Sequence, residues 1–181
     1  MLQEYFTQST LQKTSPYYLD SIAKDILNES GSVYRKKLEK ISTSMNEEEY
    51  EEEIFLRGSV FKQYIPKIYN HTCCITGYKM SSIYNISMID ACHIVPFSES
   101  YDDTIGNGLS LCPNIHRAFD RGLITIDENL RVIISDDFEE NQNNPFSLKQ
   151  FRNKKILLPT NMSYAPKKEN LLWHNENIFK V

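Results

Sequence analysis

The stretch DACHIVPFSES, residues 90–100, places an acid, a thiol and a histidine within four residues and follows them with Pro96. We predict that His93 lies where a short strand ends, with its ring at the mouth of a loop. An imidazole in such a place can accept a proton from water near neutral pH. A single histidine of this kind is more often structural than catalytic, so the role assigned to His93 depends on other residues in the sequence.

The next informative stretch is GNGLSLCPNIHRAFDRG, residues 106–122, which predicts a tight turn, a short extended piece and a helix from about Pro113 to the final glycine. His116 and Asp120 are four apart and so share one face of that helix, as two ligands of one metal would have to do. Asn107 lies in the turn, where a side-chain amide can tie two loop segments together. The ordinary alternatives are that Asp120 only pairs with a neighbouring arginine and that Asn107 is only a turn residue.

Helices are predicted upstream of these stretches. The first covers residues 15–28, and a second follows Gly31. A third begins at Asn46 with an acidic first turn, which suits the positive end of a helix dipole. We expect that helix to be bent or interrupted near Gly58 and again before Pro66.

Downstream of the 106–122 stretch, alternating residues in LITIDENLRVIIS, 123–135, predict a β-hairpin, and residues 165–179 predict a closing helix. No apolar run approaches the ~20 residues of a membrane span. The N-terminus has neither the basic start nor the apolar core of a signal peptide, so a cytoplasmic location is expected.

The four cysteines, Cys73, Cys74, Cys92 and Cys112, form no CxxC pair. Their spacing favours free and mostly buried thiols over a disulfide framework or a complete zinc site. A zinc site built from Cys74, Cys92, Cys112 and His116 is conceivable but has no recognisable spacing. His71 and His174 are expected to be structural.

Charge is distributed unevenly. Residues 1–53 hold six Lys/Arg against eleven Asp/Glu, a net charge of −5, whereas residues 54–181 carry +1. Between residues 141 and 168 the chain has six basic residues and no acid. Such a segment can neutralise phosphates, although an ordinary solvated loop has a similar composition. The candidate nucleic-acid contacts are Lys149, Arg152, Lys154 and Lys155.

His93, Asn107 and His116 follow one another along the chain in the order His, Asn, His. With this order the sequence resembles the HNH endonucleases, which share the ββα-metal (His-Me finger) core. The resemblance runs through CCITG, DACHIVPFSES, GNGLSLCPNIHRAFDRGLITID and LPTNMSYAPKKENLLWHNENIF, and so covers most of residues 60–181. The resemblance is strongest to the restriction-endonuclease-type HNH proteins, because the paired CxxC motifs of the zinc-ribbon HNH group are absent. The resemblance implies an α+β fold, with a helical N-terminal extension at 1–59 and the nuclease domain at 60–181.

The resemblance also implies roles for residues. His93 would be the general base that activates water, Asn107 would brace the loop that holds it, and His116 would be a ligand of one divalent metal ion. Asp120 falls where some relatives carry a further ligand. The expected metal is Mg²⁺ or Mn²⁺, with Zn²⁺ as the alternative.

One position departs from the family pattern. Many HNH enzymes have Asp or His directly before the base, but this chain has Cys92, whose thiolate would favour zinc. Three solutions are open: Asp90 supplies the missing oxygen ligand, water fills the position, or Cys92 binds a softer metal. The first two are favoured.

These features predict a metal-dependent DNA endonuclease acting in restriction or defence. Residues 1–53 are too acidic for an obvious DNA reader, and a homodimer through the N-terminal extension, 1–59, is one expectation. One rival is a non-catalytic DNA-binding or partner-binding module on an HNH scaffold. Another is a nonspecific, toxin-like nuclease.

Overall fold

The computed structural model describes residue 29 and residues 31–80, 87–141 and 144–181. The helix predicted over 15–28 lies outside the described residues. The described helices are α1 (Gly31–Ser44), α2 (Glu47–Ile68), α3 (Phe97–Ser100), α4 (Pro113–Asp120) and α5 (Lys168–Asn177), and the strands are β1 (Asp90–His93), β2 (Gly108–Leu111), β3 (Ile124–Ile126) and β4 (Val132–Ile134). This mixture confirms the α+β class. Within the described residues, no helix combines the length and the apolar character needed to cross a membrane.

Strands β1 and β2 and helix α4 form a continuous ββα unit. The strands pair antiparallel, with His93 opposite Gly108 and Asp90 opposite Leu111. Helix α4 follows β2 directly, and its first residue, Pro113, has no N–H to leave unpaired. The chain then turns at Gly122 with φ +71°, as the sequence predicted.

Helix α2 is longer and more regular than expected. Asn46 and Glu49 form a reciprocal capping box at its start. The predicted interruption near Gly58 is wrong, because the helix continues to Ile68. Pro66 lies in the last turn, so the backbone hydrogen bond that a proline removes is lost only where the helix is about to end.

Two faces of α2 pack against different parts of the chain. On one face, Leu56 and Val60 join Tyr34 and Leu38 of α1 in a buried cluster. On the other, Phe61 and Ile65 pack with Ile105 and against the β1–β2 sheet. The second contact depends on Gly108, because a Cβ there would lie 2.3 Å from Cδ1 of Ile65.

The second hairpin contacts both α4 and the C-terminal helix. Strands β3 and β4 pair antiparallel, which confirms the predicted hairpin. Helix α5 packs against β3, and the Nδ2 of Asn175 donates to the carbonyl of Ile126. The backbone N–H of Lys180 donates to the carbonyl of Gly122. The segment directly after the closing helix therefore holds the turn that ends α4.

Candidate active site

His93 is held at the end of β1 by two contacts. Its Nε2 lies 2.7 Å from Oδ1 of Asp103, whose side chain is 2% exposed. Its ring stacks on Phe61 of α2, with the ring centroids 3.9 Å apart and the planes 7° from parallel. Among the described residues, Nδ1 of His93 has no hydrogen-bond partner. The imidazole is therefore oriented through one nitrogen and available through the other.

Asn107 joins the chain after His93 to the loop that carries Asp103. Its Oδ1 accepts from the N–H of Val95 at 2.8 Å, and its Nδ2 donates to the carbonyls of Val95 and Asp102, both at 2.9 Å. Its own carbonyl accepts from the N–H of Ile94. The side chain is fully buried. Without these bonds the buried polar groups of both segments would lack partners.

Asp103 was not among the residues singled out by the sequence. Its two carboxylate oxygens have different partners: Oδ1 meets His93, and Oδ2 accepts from the hydroxyl of Tyr34 on α1 at 3.1 Å. The only signal in the sequence is a pair of acids, Asp102 and Asp103, in a loop without periodicity. Nothing in that pair distinguishes a buried acceptor from an exposed loop charge.

His116 lies between two carboxylates. Its Nε2 is 3.4 Å from Oδ2 of Asp120, one turn further along α4, and its Nδ1 is 3.3 Å from Oδ2 of Asp90 on β1. The Sγ of Cys92 lies 3.7 Å from Oδ1 of Asp120. Potential ligand atoms of Cys92, His116 and Asp120 all lie within 4.8 Å of one another. Asp90 faces the other ring nitrogen of His116 and so does not belong to that group.

The donor set fits a divalent ion. His116 offers a nitrogen and Asp120 an oxygen on the same side of the cluster, and the carboxylate of Asp120 is 55% exposed. The thiol of Cys92 is buried, and this burial, together with the nearby Asp120 carboxylate, raises its pKa well above the ordinary value. Cys92 is accordingly a neutral thiol that donates toward Asp120. His116 and Asp120 together supply nitrogen and oxygen donors of the kind that a divalent ion takes.

The base candidate and the metal candidates share one cleft of about 340 Å³. Its wall is formed by His93, Ile94, Pro96, Phe97, His116, Asp120, His174 and Ile178. An imidazole with a free nitrogen and a cluster of metal-ligating atoms thus border the same solvent-filled space. This is the arrangement that hydrolysis of a phosphodiester by an activated water requires.

His174 also borders the cleft but is committed to the core. Its Nδ1 lies 2.9 Å from the hydroxyl of Thr125, its Nε2 lies 3.1 Å from the carbonyl of Phe119, and its ring stacks on that of Phe119. Burial lowers its pKa to about 4, so the ring is neutral at pH 7. The structural assignment made from the sequence is confirmed.

The four cysteines are free thiols, and all but Cys112 are buried, as expected. Burial raises the pKa of Cys74. Among the described residues, Cys74 and Cys112 do not share a cluster of ligand atoms with Cys92 and His116. The described residues therefore do not assemble the conceivable four-ligand zinc site.

The four candidate DNA contacts, Lys149, Arg152, Lys154 and Lys155, are exposed. The fold brings acids to them that are absent from their own segment: Nη2 of Arg152 is 2.5 Å from Oδ1 of Asp136, and Glu140 accepts from the backbone N–H groups of Leu148 and Lys149. The positive surface is consequently weaker than the 141–168 segment suggests.

Comparison with known proteins agrees with this geometry. Residues 73–127 match the family model of the HNH endonucleases, so this part of the chain is an HNH endonuclease domain. Among solved structures, the chain is similar to a "Modification dependent TagI restriction endonuclease", with 18% sequence identity and a TM-score of 0.51. The alignment covers 67% of this chain and 38% of the other, so this chain corresponds to well under half of that protein. A search of curated proteins gave no match.

Proposed function

We propose that this protein is a metal-dependent DNA endonuclease that hydrolyses phosphodiester bonds. One observation carries the proposal: His93, oriented by a buried carboxylate, borders the same cleft as the His116 and Asp120 cluster. The HNH match over residues 73–127 supports the same conclusion, since His93, Asn107 and His116 all lie inside it.

The contact with Asp103 selects the tautomer of His93 that a base needs. A buried carboxylate accepts a hydrogen bond, so of the two neutral tautomers it favours the one that carries its proton on Nε2. The lone pair is then on Nδ1, which has no partner among the described residues. In the proposed step, Nδ1 takes a proton from water while the water oxygen bonds to phosphorus and the bond from phosphorus to the 3′ oxygen breaks. The departing 3′ oxygen takes a proton from solvent, and the products are a 5′-phosphate and a 3′-hydroxyl.

His116 and Asp120 would hold one divalent ion, with Mg²⁺ or Mn²⁺ proposed ahead of Zn²⁺. When bound, such an ion supplies charge stabilisation to the transition state and the departing oxygen. Asp90 is then better suited to accept from Nδ1–H of His116, because this leaves the Nε2 lone pair on the Asp120 side. Water would take the coordination position that Asp90 or Cys92 could otherwise fill.

We propose a role in restriction or defence, for which the similarity in fold to a modification-dependent restriction endonuclease is the support. The exposed residues Lys149, Lys154 and Lys155 would contact DNA phosphates. Arg152 would contact a phosphate while its guanidinium remained paired with the carboxylate of Asp136. The proposed division between an extension at 1–59 and a nuclease domain at 60–181 falls inside α2, so the two parts share a helix.

The test is plasmid cleavage by wild-type protein and by His93→Ala, with Mg²⁺, Mn²⁺, Zn²⁺ or EDTA. We expect nicked and linear products with Mg²⁺ or Mn²⁺, their loss in EDTA, and a loss of at least roughly 100-fold in the mutant. Discrete fragments would support restriction, whereas a smear would support nonspecific cleavage.

Plasmid cleavage, combined with a measurement of DNA binding, also distinguishes the nuclease from the non-catalytic alternative. Plasmids with and without modified bases, offered at several concentrations of salt, provide a range of substrates. DNA binding that persists in His93→Ala, with no cleavage of any plasmid by wild-type protein, would contradict the proposed activity and favour a binding module.

A further inference from the structure

We propose that Tyr34, on α1 and outside the segment that matches the HNH family, is a positioning residue for the base: it orients Asp103, which orients His93. This inference rests on the proposed function, because it assigns His93 the role of base. It makes the helices before the HNH domain a part of the active site.

The contacts form a chain of two hydrogen bonds. Tyr34 Oη donates to Oδ2 of Asp103 at 3.1 Å, and Oδ1 of the same carboxylate lies 2.7 Å from Nε2 of His93. Asp103 is 3% exposed, so water contributes little to fixing it. With one partner on each oxygen, rotation of the carboxylate would break one or both bonds. The hydrogen bond from the Tyr34 hydroxyl therefore restrains the orientation of the Asp103 carboxylate. It thereby fixes the direction from which Oδ1 of Asp103 contacts the imidazole of His93.

Tyr34 is itself rigidly placed. It is fully buried, and the guanidinium carbon of Arg57 lies 4.8 Å from the centre of its ring. The Nε of Arg57 donates to Glu53 at 2.8 Å, and its Nη1 is 3.8 Å from Glu29. Burial, followed by the charge of Asp103, raises the pKa of Tyr34 above its usual range. The hydroxyl consequently remains a hydrogen-bond donor at any working pH.

Packing alone does not account for this tyrosine. Its neighbours Leu38, Leu56 and Val60 form an apolar cluster that a phenylalanine ring would fill equally well. The hydroxyl nevertheless points to a carboxylate 69 residues away in the chain. Helix α2 approaches the same histidine from another side through the stacked ring of Phe61. Of the described helices before the HNH segment, α2 thus contacts His93 directly and α1 reaches it through Asp103.

The matched pair of variants is Tyr34→Phe and Tyr69→Phe. Each removes one phenolic oxygen from a buried tyrosine, but Oη of Tyr69 has no hydrogen-bond partner among the described residues. At saturating DNA and metal, we expect kcat to fall about tenfold in Tyr34→Phe, with KM and Mn²⁺ affinity within about twofold of wild type. Tyr69→Phe should keep wild-type kcat. Thermal unfolding of both variants verifies that each is folded.

A second readout does not depend on activity. In protein labelled with ¹⁵N-histidine, the His93 ring signals, assigned by their loss in His93→Gln, should show the Nε2–H tautomer. We expect Tyr34→Phe to shift them toward mixed tautomers and Tyr69→Phe to leave them in place. If Tyr34→Phe does not fold, fluorotyrosine at position 34 replaces it, because a more acidic hydroxyl should also move the His93 signals.

The outcomes distinguish this inference from the proposed function. Cleavage by wild-type protein, with kcat and ring signals unchanged in Tyr34→Phe, would overturn the role of Tyr34 and leave the nuclease intact. No cleavage by any variant, with His93 signals that respond to Tyr34→Phe alone, would uphold the coupling and overturn the nuclease. A fall in kcat without any change at His93 would mean that Tyr34 acts by another route, which also contradicts the inference.

Discussion

Oδ1 of Asp103 lies 2.7 Å from Nε2 of His93, although ten residues separate them and the carboxylate is buried whereas the imidazole borders the cleft. A buried acceptor on one ring nitrogen leaves the other nitrogen as the site of proton transfer. The orientation of the proposed base is therefore set from inside the protein, by a residue that does not line the cleft.

Asp103→Asn should abolish most of the cleavage. A carboxamide can donate as well as accept, so it no longer selects the Nε2–H tautomer of His93. We expect kcat to fall by roughly 100-fold or more, with Mn²⁺ affinity unchanged, as measured by cleavage kinetics and calorimetry. Asp137→Asn, at an exposed aspartate beyond β4, is the matched control and should retain full activity. Equal activity in the two variants would show that Asp103 does not orient the base.

Cys92→Ala should leave the metal site functional. The proposed ligands are His116 and Asp120, and the Cys92 thiol donates toward Asp120, so we expect Mn²⁺ affinity within about threefold of wild type in Cys92→Ala, whereas His116→Ala should lose at least about tenfold. Calorimetric titration of both variants measures this difference. Equal losses in the two variants would make Cys92 a ligand and would favour Zn²⁺ as the bound ion.

His174 should make the fold less stable in mild acid. The pKa of its ring is about 4 in the folded state and about 6.5 in an unfolded chain, so the unfolded state binds more protons between these values. This contribution to stability is complete above pH 6.5 and is lost as the pH falls toward 4. We expect the loss to reach at most about 3 kcal/mol, measured by urea unfolding from pH 7 to pH 4. His174→Gln should have a weaker pH dependence than wild type, and parallel curves would contradict the prediction.

Gly108→Ala should loosen the contact between α2 and the β1–β2 sheet. The new methyl group would meet Cδ1 of Ile65 at 2.3 Å and Cε2 of Phe61 at 3.1 Å, so we expect a loss of about 1–3 kcal/mol in the free energy of unfolding. Activity should fall as well, because Phe61 stacks on His93. Gly58→Ala is the control: nothing lies within 4 Å of its added Cβ, and within α2 it should stabilise by about 0.5–1 kcal/mol. Urea unfolding compares the two, and a Gly108→Ala variant as stable as wild type would contradict the packing described.

Local patterns in the sequence predicted several elements correctly. Pro113 and Gly122 mark the beginning of α4 and the turn after it, and the alternation in residues 123–135 predicted the second hairpin. Asn46 and the acidic first turn predicted the start of α2. These signals depend on neighbours within a few residues, where periodicity and capping apply. The ββα arrangement followed from the order of the elements.

Contacts between distant residues were not predictable in this way. Tyr34 meets Asp103 across 69 residues, and no pattern in either neighbourhood marks them as partners. Asp136 and Arg152 are likewise brought together by the fold, although composition suggested an uncompensated basic segment. Gly58 suggested a break in α2 that the contacts on both faces of the helix overrule.

Helix α2 contributes to two apolar clusters at once, one with α1 and one with the sheet that carries His93. A local opening that frees α1 therefore exposes one side of the helix whose other side packs against the β1–β2 sheet. In native-state hydrogen exchange, amides of α2 and β1 should lose protection together, as one cooperative unit. A small molecule or partner that bound the surface of α1 would then change the rate of the proposed DNA cleavage without entering the cleft.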